Sequence, residues 1–165
     1  MNYPGKYPRS HPLGDCFYNT DKKLCYVQIP KNASSSIRKA LGWHRSNFIT
    51  EDLDIDRYIV VLRDPAERWL SATNYFCKRH RRPRPDEHYE SQNYFIGFLD
   101  FDKVDFFWYS DNILQDIDVH YGLGIDTTVK VNGSAGHISL NNDDFIRVMY
   151  KDDYDLISSV RFIHK

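Results

Sequence analysis

Residues 24–42 run LCYVQIPKNASSSIRKALG. Leu24 to Ile29 is a short apolar run of the kind that forms a strand buried on both faces. Pro30 ends it, because proline brings no N–H to a strand ladder. From Ser34 to Leu41 the period changes: Ile37, Ala40 and Leu41 share one side of a helix, and Gly42 supplies its C-terminal stop. Strand, tight polar turn and helix open a βα unit, and that turn carries a lysine and three consecutive serines.

A second unit follows. Tyr58 to Leu62 (YIVVL) repeats the buried-strand pattern and is broken by Arg63-Asp64-Pro65. Pro65 suits the first turn of a helix, where its missing N–H would be unpaired anyway. That helix continues through AERWLSATNYFCKR with Trp69, Ala72, Thr73 and Phe76 on its apolar face. Further on, Tyr94–Leu99 reads as helix, Val104–Trp108 as a third strand, and Asn112–Tyr121 as a helix stopped by Gly122 and Gly124. Thr127–Val131 alternates weakly, like an edge strand. Asn141 or Asn142 can cap a last helical region carrying Phe145, Val148, Met149, Leu156 and Ile157. Alternating β and α elements predict an α/β fold, a single domain over 1–165 with a mostly parallel central sheet flanked by helices. Residues 1–23, rich in Pro, Tyr and charge, are expected to be an irregular N-terminal segment.

Composition narrows the function. With 41% hydrophobic and 27% charged residues the chain is of ordinary globular type. A net charge of -1 predicts no general attraction to nucleic acid or anionic membrane, so any anion site must be local. The three cysteines, Cys16, Cys25 and Cys77, have no metal-ligand spacing and read as free thiols. The opening MNYPGKYPRSHPLGD lacks the apolar core of a signal peptide, and no apolar run nears the roughly 20 residues needed to span a bilayer. A soluble, cytoplasmic protein without a membrane partner is expected.

The turn at 30–36 and its counterpart at 63–71 carry the chemistry. A helix N-terminus offers unpaired N–H groups and the positive end of its dipole, which together bind phosphate. Lys31 adds a mobile charge and the serines add hydroxyls. The spelling G-x-x-x-x-G-K-[ST] is absent, which disfavours an ordinary P-loop ATPase or GTPase. Alternatively, Ser34 or Ser35 merely caps the helix. Arg63 stands at the carboxyl end of the second strand, where ligands of open α/β sheets sit, with Arg68 and Ser71 on the following helix. A guanidinium and a hydroxyl converging on one anion make a phosphate clamp. The plainer alternative pairs Arg63 with Asp64 or Glu67 and leaves Ser71 as filler.

Together, PKNASSS and LRDPAERWLSATNYF resemble the 5′-phosphosulfate loop and the 3′-phosphate motif (R-x-P-x-x-R-x-x-S) of sulfotransferases that use 3′-phosphoadenosine 5′-phosphosulfate (PAPS). The spelling is nearer to the carbohydrate, Golgi-type enzymes than to the cytosolic steroid and phenol enzymes. YSDNILQDI and VMYKDDYDLI resemble weaker helical patterns of the same family, so the resemblance spans roughly residues 24 to 158. It implies a P-loop-like strand-loop-helix phosphate site and transfer of a sulfuryl group to an acceptor hydroxyl, leaving 3′-phosphoadenosine 5′-phosphate (PAP). No metal is required. Lys31, Asn32, Ala33, Ser34, Ser35 and Ser36 would hold the 5′ end, with Lys31 catalytic, and Arg63 and Ser71 would hold the 3′-phosphate.

The acceptor needs a general base, which many relatives place between the two motifs. There GWHRSNFITEDL offers His44, expected near the crevice after Gly42, with Glu51 as the second choice and Asp52 also present. The basic KRHRRPR, residues 78–84, reads as a patch for an acidic glycan acceptor through Arg79, His80, Arg81 and Arg82, as a solvated helix end, or as a nucleic-acid patch. The last lacks interleaved aromatics, and no nucleic-acid partner is expected. His80 and His88, beside Glu87 and Glu90, are further groups within reach of an acceptor. VKVNGSAGH, residues 129–137, is a plain turn or a lid with Lys130 or Ser134 at the nucleotide. Ser36 stands where the cytosolic enzymes often carry an aromatic against adenine, so a stacking ring, if there is one, comes from elsewhere, with Trp43, Trp108 and Phe107 as candidates. Two rivals remain: a nucleotide-binding module without turnover, and a small-molecule kinase with an atypical phosphate loop.

Overall fold

The computed structural model describes residues 16–46, 53–79, 86–131, 140 and 143–164. These build a single α/β domain around a five-stranded mixed sheet. Its strands are β1 (Cys16–Asn19), β2 (Leu24–Val27), β3 (His44–Ser46), β4 (Arg57–Leu62) and β5 (Val104–Trp108), in the order β3-β1-β2-β4-β5. Six helices accompany them among the described residues: α1 (Ser34–Leu41), α2 (Pro65–Lys78), α3 (Gln92–Ile96), α4 (Ile113–Tyr121), α5 (Asp144–Met149) and α6 (Lys151–Ser159).

The expectation of a mostly parallel sheet describes only β2, β4 and β5. β2 pairs with β4 and β4 with β5 in parallel, whereas β1 is antiparallel to both β2 and β3. The cause is local: β1 and β2 are joined by a turn over residues 20–23, too short for the crossover that parallel strands require. Cys16–Asn19 therefore corrects the expectation of an irregular segment through residue 23; residues 1–15 lie outside the described ones.

Both faces of the central strands are covered, which explains their continuous apolar spelling. Val60 and Leu62 of β4 point into one core with Phe95, Ile96 and Leu156, on the α3 and α6 side. Ile59 and Val61 point into the other with Ile37, Leu41 and Ile117, on the α1 and α4 side. Gly42 and Gly122 end α1 and α4 in the left-handed conformation, each donating its N–H back to the last turn. α2 begins as its sequence dictates: Pro65 opens it, and the Asp64 carboxylate accepts from the N–H groups of Ala66 at 2.9 Å and Glu67 at 3.0 Å. Thr127–Val131 forms no strand. Of the last apolar run, Leu156 is buried, whereas Phe145, Val148 and Met149 are exposed on α5.

Candidate functional site

The carboxyl ends of β2 and β4 lie side by side, because the two strands are parallel neighbours in register Leu24↔Arg57. Above them opens a cavity of about 450 Å³, within the size range of small-molecule sites. Lys31, Ala33, Ser34, Ser35, Ser36, Arg63, Ser71 and Arg79 all line it. Residues from two motifs thirty positions apart thus share one space.

The floor is the turn that precedes α1. Lys31 (φ 71°) and Ala33 (φ 60°) both adopt the left-handed conformation, at a cost of about 1–2 kcal/mol each for residues with a Cβ. Ala33 is the N-cap of α1, and no side chain caps this helix. The alternative that Ser34 or Ser35 serves as the cap is therefore not what forms. The Ser35 hydroxyl instead accepts from Arg38 Nη2 at 3.5 Å, and the Ser36 hydroxyl accepts from the N–H of Val131 at 3.1 Å. The first N–H groups of α1 have no intrahelical acceptor, as at any helix start, and Ser34, Ser35 and Ser36 of this first turn line the cavity.

Three buried side chains lock the two motif turns together. Asn32, expected to bind the cofactor, is fully buried and does not line the cavity: its amide donates to Val61 O at 2.8 Å and to Gln92 Oε1 at 2.7 Å. Its N–H is directed at Ile29 O, so Asn32 braces the turn from below. Gln92 also accepts from Arg63 N at 2.9 Å and donates to Arg63 O at 2.8 Å, bridging the ends of the two strands. Asp153 of α6 receives the N–H groups of Gln92 and Asn93, fixing α3 in place. Arg68, 2% exposed, donates to Pro30 O at 2.9 Å, to Glu90 O at 2.5 Å and to Glu87 O at 3.5 Å. Burial pulls its pKa down to about 10, which still leaves it charged at neutral pH. Arg63 completes the lock, with Nη1 donating to Lys31 O at 3.0 Å and its guanidinium 4.1 Å from the centre of the Tyr109 ring. It also meets Glu67 at 3.4 Å, as the plainer alternative had it, without leaving the cavity.

The electrostatics are one-sided. Lys31, Arg38, Arg63, Arg79 and Lys130 all reach the cavity, and Asp111 is the one carboxylate among its described lining residues. In a chain of net charge -1, this is a concentrated positive field in a low-dielectric recess. Lys31 registers it. Burial, then the charges of Arg79, Arg63 and Arg68, pull its pKa down from the ordinary 10.5 to about 8. Such an arrangement attracts a multiply charged anion.

His44, expected near the crevice, does not line the cavity. His44 opens β3 beside Tyr18, level with Cys25 at the amino end of β2, and is exposed. From Cys25 to Ile29, before the turn, the chain already climbs roughly 13 Å at about 3.3 Å per residue toward the crevice. The direction of α1 is the reason. α1 starts at the crevice and runs away from it, so the residue after its stop emerges at the opposite end of the sheet. Glu51, His80, Arg81 and Arg82 lie outside the described residues.

His88 lines the cavity instead. Its Nδ1 is 2.9 Å from Asp86 Oδ1. A carboxylate can only accept, so Nδ1 carries the hydrogen and Nε2 keeps the lone pair. Burial holds the His88 pKa below its ordinary value despite Asp86, which leaves the ring neutral at pH 7. Its only sequence signal was membership in a cluster of charged residues. Asp86, Glu87 and His88 are also the described group whose ligand atoms lie within 4.8 Å of one another, as a metal would need, although Asp86 is already engaged by His88 and Lys31 is close enough to act on the ring. The aromatic rings in the cavity are Tyr75 and Tyr109. Trp43 and Trp108 are half-buried in the two cores and Phe107 is fully buried, so the rings expected against a base are not at this site.

Compared with models of protein families, with curated proteins and with solved structures, the chain matches none. Among the described residues, no helix is long and apolar enough to cross a membrane.

Proposed function

We propose that this protein is a sulfotransferase that moves a sulfuryl group from PAPS to an acceptor hydroxyl, on a carbohydrate. The observation that supports this reading is the meeting of the 30–36 and 63–71 turns in one cavity, with five cations against a single carboxylate among its described lining residues. One anionic group of the donor occupies the uncapped start of α1, within reach of Lys31 and the serines. The second lies between Arg63 and Ser71, so the cavity distinguishes a nucleotide phosphorylated at two separate positions. The β2–α1 segment then acts as a P-loop-like phosphate site with left-handed Lys31 and Ala33 in place of glycines.

Transfer needs an acceptor oxygen to attack sulfur in line as the bond from sulfur to the bridging phosphate oxygen breaks. Charge grows on that oxygen, and Lys31, held as a cation near it, stabilises the charge. His88 Nε2 takes the acceptor's proton, with Asp86 holding the ring in the tautomer that can accept it. Positioning and fixed charge supply most of the rate, as in phosphoryl transfer. Arg79, at the C-terminal end of α2, supplies a cation for an acidic acceptor.

The test is calorimetric titration of wild type, Lys31→Ala and Arg63→Ala with PAP and with ATP–Mg²⁺. Micromolar PAP binding that Arg63→Ala weakens by at least tenfold, with ATP much weaker, is expected. Equal binding of ATP and PAP, unchanged by Arg63→Ala, would sink the assignment in favour of a kinase. PAP binding without turnover of labelled PAPS on any acceptor would leave a nucleotide-binding module.

A further inference from the structure

Ser71, Tyr75 and Arg79 are spaced four apart on α2, so one turn separates each from the next and all three present to the cavity. The middle residue is an aromatic ring in a cluster of cations. Lys31 Nζ sits 4.2 Å from the centre of the Tyr75 ring, and the Arg79 guanidinium sits 3.7 Å from it. The His88 ring stacks on Tyr75 at 5.0 Å with 25° between planes, and Phe76 braces it edge-on at 5.6 Å.

Lys31 makes no ion pair with a described carboxylate, while Arg63, Arg68 and Arg79 repel it. A flexible lysine in that field has every electrostatic reason to swing toward water. Among the described residues, the negative face of the Tyr75 ring is the attractive partner of its ammonium, and a partly desolvated contact of this type is favourable. The same ring carries His88, so a single side chain sets the spacing between the cation on the donor side and the imidazole on the acceptor side.

We propose that Tyr75 is a positioning residue that holds the Lys31 ammonium in the cavity through its ring face, before any anion is bound. The proposal rests on the donor role assigned to Lys31 above. The ring does the holding, so the Tyr75 hydroxyl is dispensable.

Two measurements test it separately from the donor assignment. The first uses nucleotide-free protein with its lysines reductively ¹³C-methylated, which keeps their charge, and assigns the Lys31 signal by its loss in Lys31→Arg. In wild type and Tyr75→Phe that signal is expected upfield of the bulk lysine methyls by the ring current, and in Tyr75→Leu it returns to the bulk position. A wild-type signal already at the bulk position overturns the proposal. The second is a double-mutant cycle on PAP affinity. Tyr75→Leu is expected to weaken PAP about 3- to 30-fold. Tyr75→Phe should stay within twofold of wild type, and Tyr75→Leu should add nothing in a Lys31→Ala background. An equal loss with and without Lys31, or a loss in Tyr75→Phe as large as in Tyr75→Leu, refutes action through Lys31. If wild type fails to bind PAP, the donor assignment falls whatever the methyl signal shows. If PAP binds and the ring-current shift is absent, only the role of Tyr75 falls.

Discussion

Replacing Lys31 with methionine should make the protein more stable and at the same time remove its anion binding. In the folded chain the Lys31 pKa is about 8, against 10.5 when exposed. The folded state therefore binds this proton less tightly. Below pH 8 both states are protonated, and folding carries the whole cost of burying the charge among Arg79, Arg63 and Arg68. Between pH 8 and 10.5 the folded state releases the proton while the unfolded state keeps it, so the cost is relieved and stability rises with pH. At about 1.4 kcal/mol per tenfold change in proton affinity, the interval corresponds to roughly 3 kcal/mol. The amine is partly open to the cavity and screened there, which leaves about 1–3 kcal/mol. Methionine keeps most of the volume without the charge. Urea denaturation of wild type and Lys31→Met at pH 7 and pH 10 measures the effect. Lys31→Met should be more stable by about 1–3 kcal/mol at pH 7, with the advantage mostly gone at pH 10, while PAP no longer stabilises the variant. A Lys31→Met protein that is less stable than wild type at pH 7, or a difference independent of pH, refutes the account of a charge held at a cost for binding.

Three further outcomes follow from named contacts. Gln92→Leu strands the Arg63 N–H and one N–H of the Asn32 amide, and should cost about 2–4 kcal/mol in urea unfolding while weakening PAP binding, although Gln92 does not line the cavity. Arg68→Ala removes three donors, to Pro30, Glu90 and Glu87, and strips the buried Pro30 carbonyl of its guanidinium partner; a loss of about 3–5 kcal/mol is expected, read as a fall in the urea midpoint. The pH profile of kcat/KM should be bell-shaped. Its acid limb falls below 6.5 because burial lowers the His88 pKa, and its alkaline limb lies near 8 as Lys31 loses its proton. His88→Gln should abolish the acid limb, lower kcat by about a hundredfold or more, and leave PAP affinity unchanged.

Several elements could be read directly from the chain because local chemistry decides them. α1 occupies Ser34–Leu41 and ends at left-handed Gly42, and α2 starts at Pro65 behind the Asp64 cap, as their spelling predicts. β2, β4 and β5 declare themselves by runs that are apolar on both faces. β3 could not be seen: His44-Arg45-Ser46 is short, polar and at the sheet edge, where pairing with β1 supplies the order that composition does not. β1 was hidden by the irregular composition around it. Phe145, Val148 and Met149 show the reverse failure, since apolar character did not decide burial on α5.

The same division runs through the site. Lys31, the three serines, Arg63 and Ser71 could be nominated from sequence because a strand-turn-helix fixes locally which residues stand at a strand's carboxyl end. Whether two such turns face one cavity depends on strand order, and only the parallel pairing of β2 with β4 settled it. The direction of α1 removed His44, burial turned Asn32 into a brace, and Gln92 joined the motifs across 60 residues of chain. Tyr75 and His88 became neighbours of Lys31 through the packing of α2 against the turn that Arg68 holds. Sequence alone determined which groups can bind an anion, because that follows from residue type and local backbone. Tertiary structure decided which of them line one cavity, because convergence depends on contacts between segments far apart in the chain.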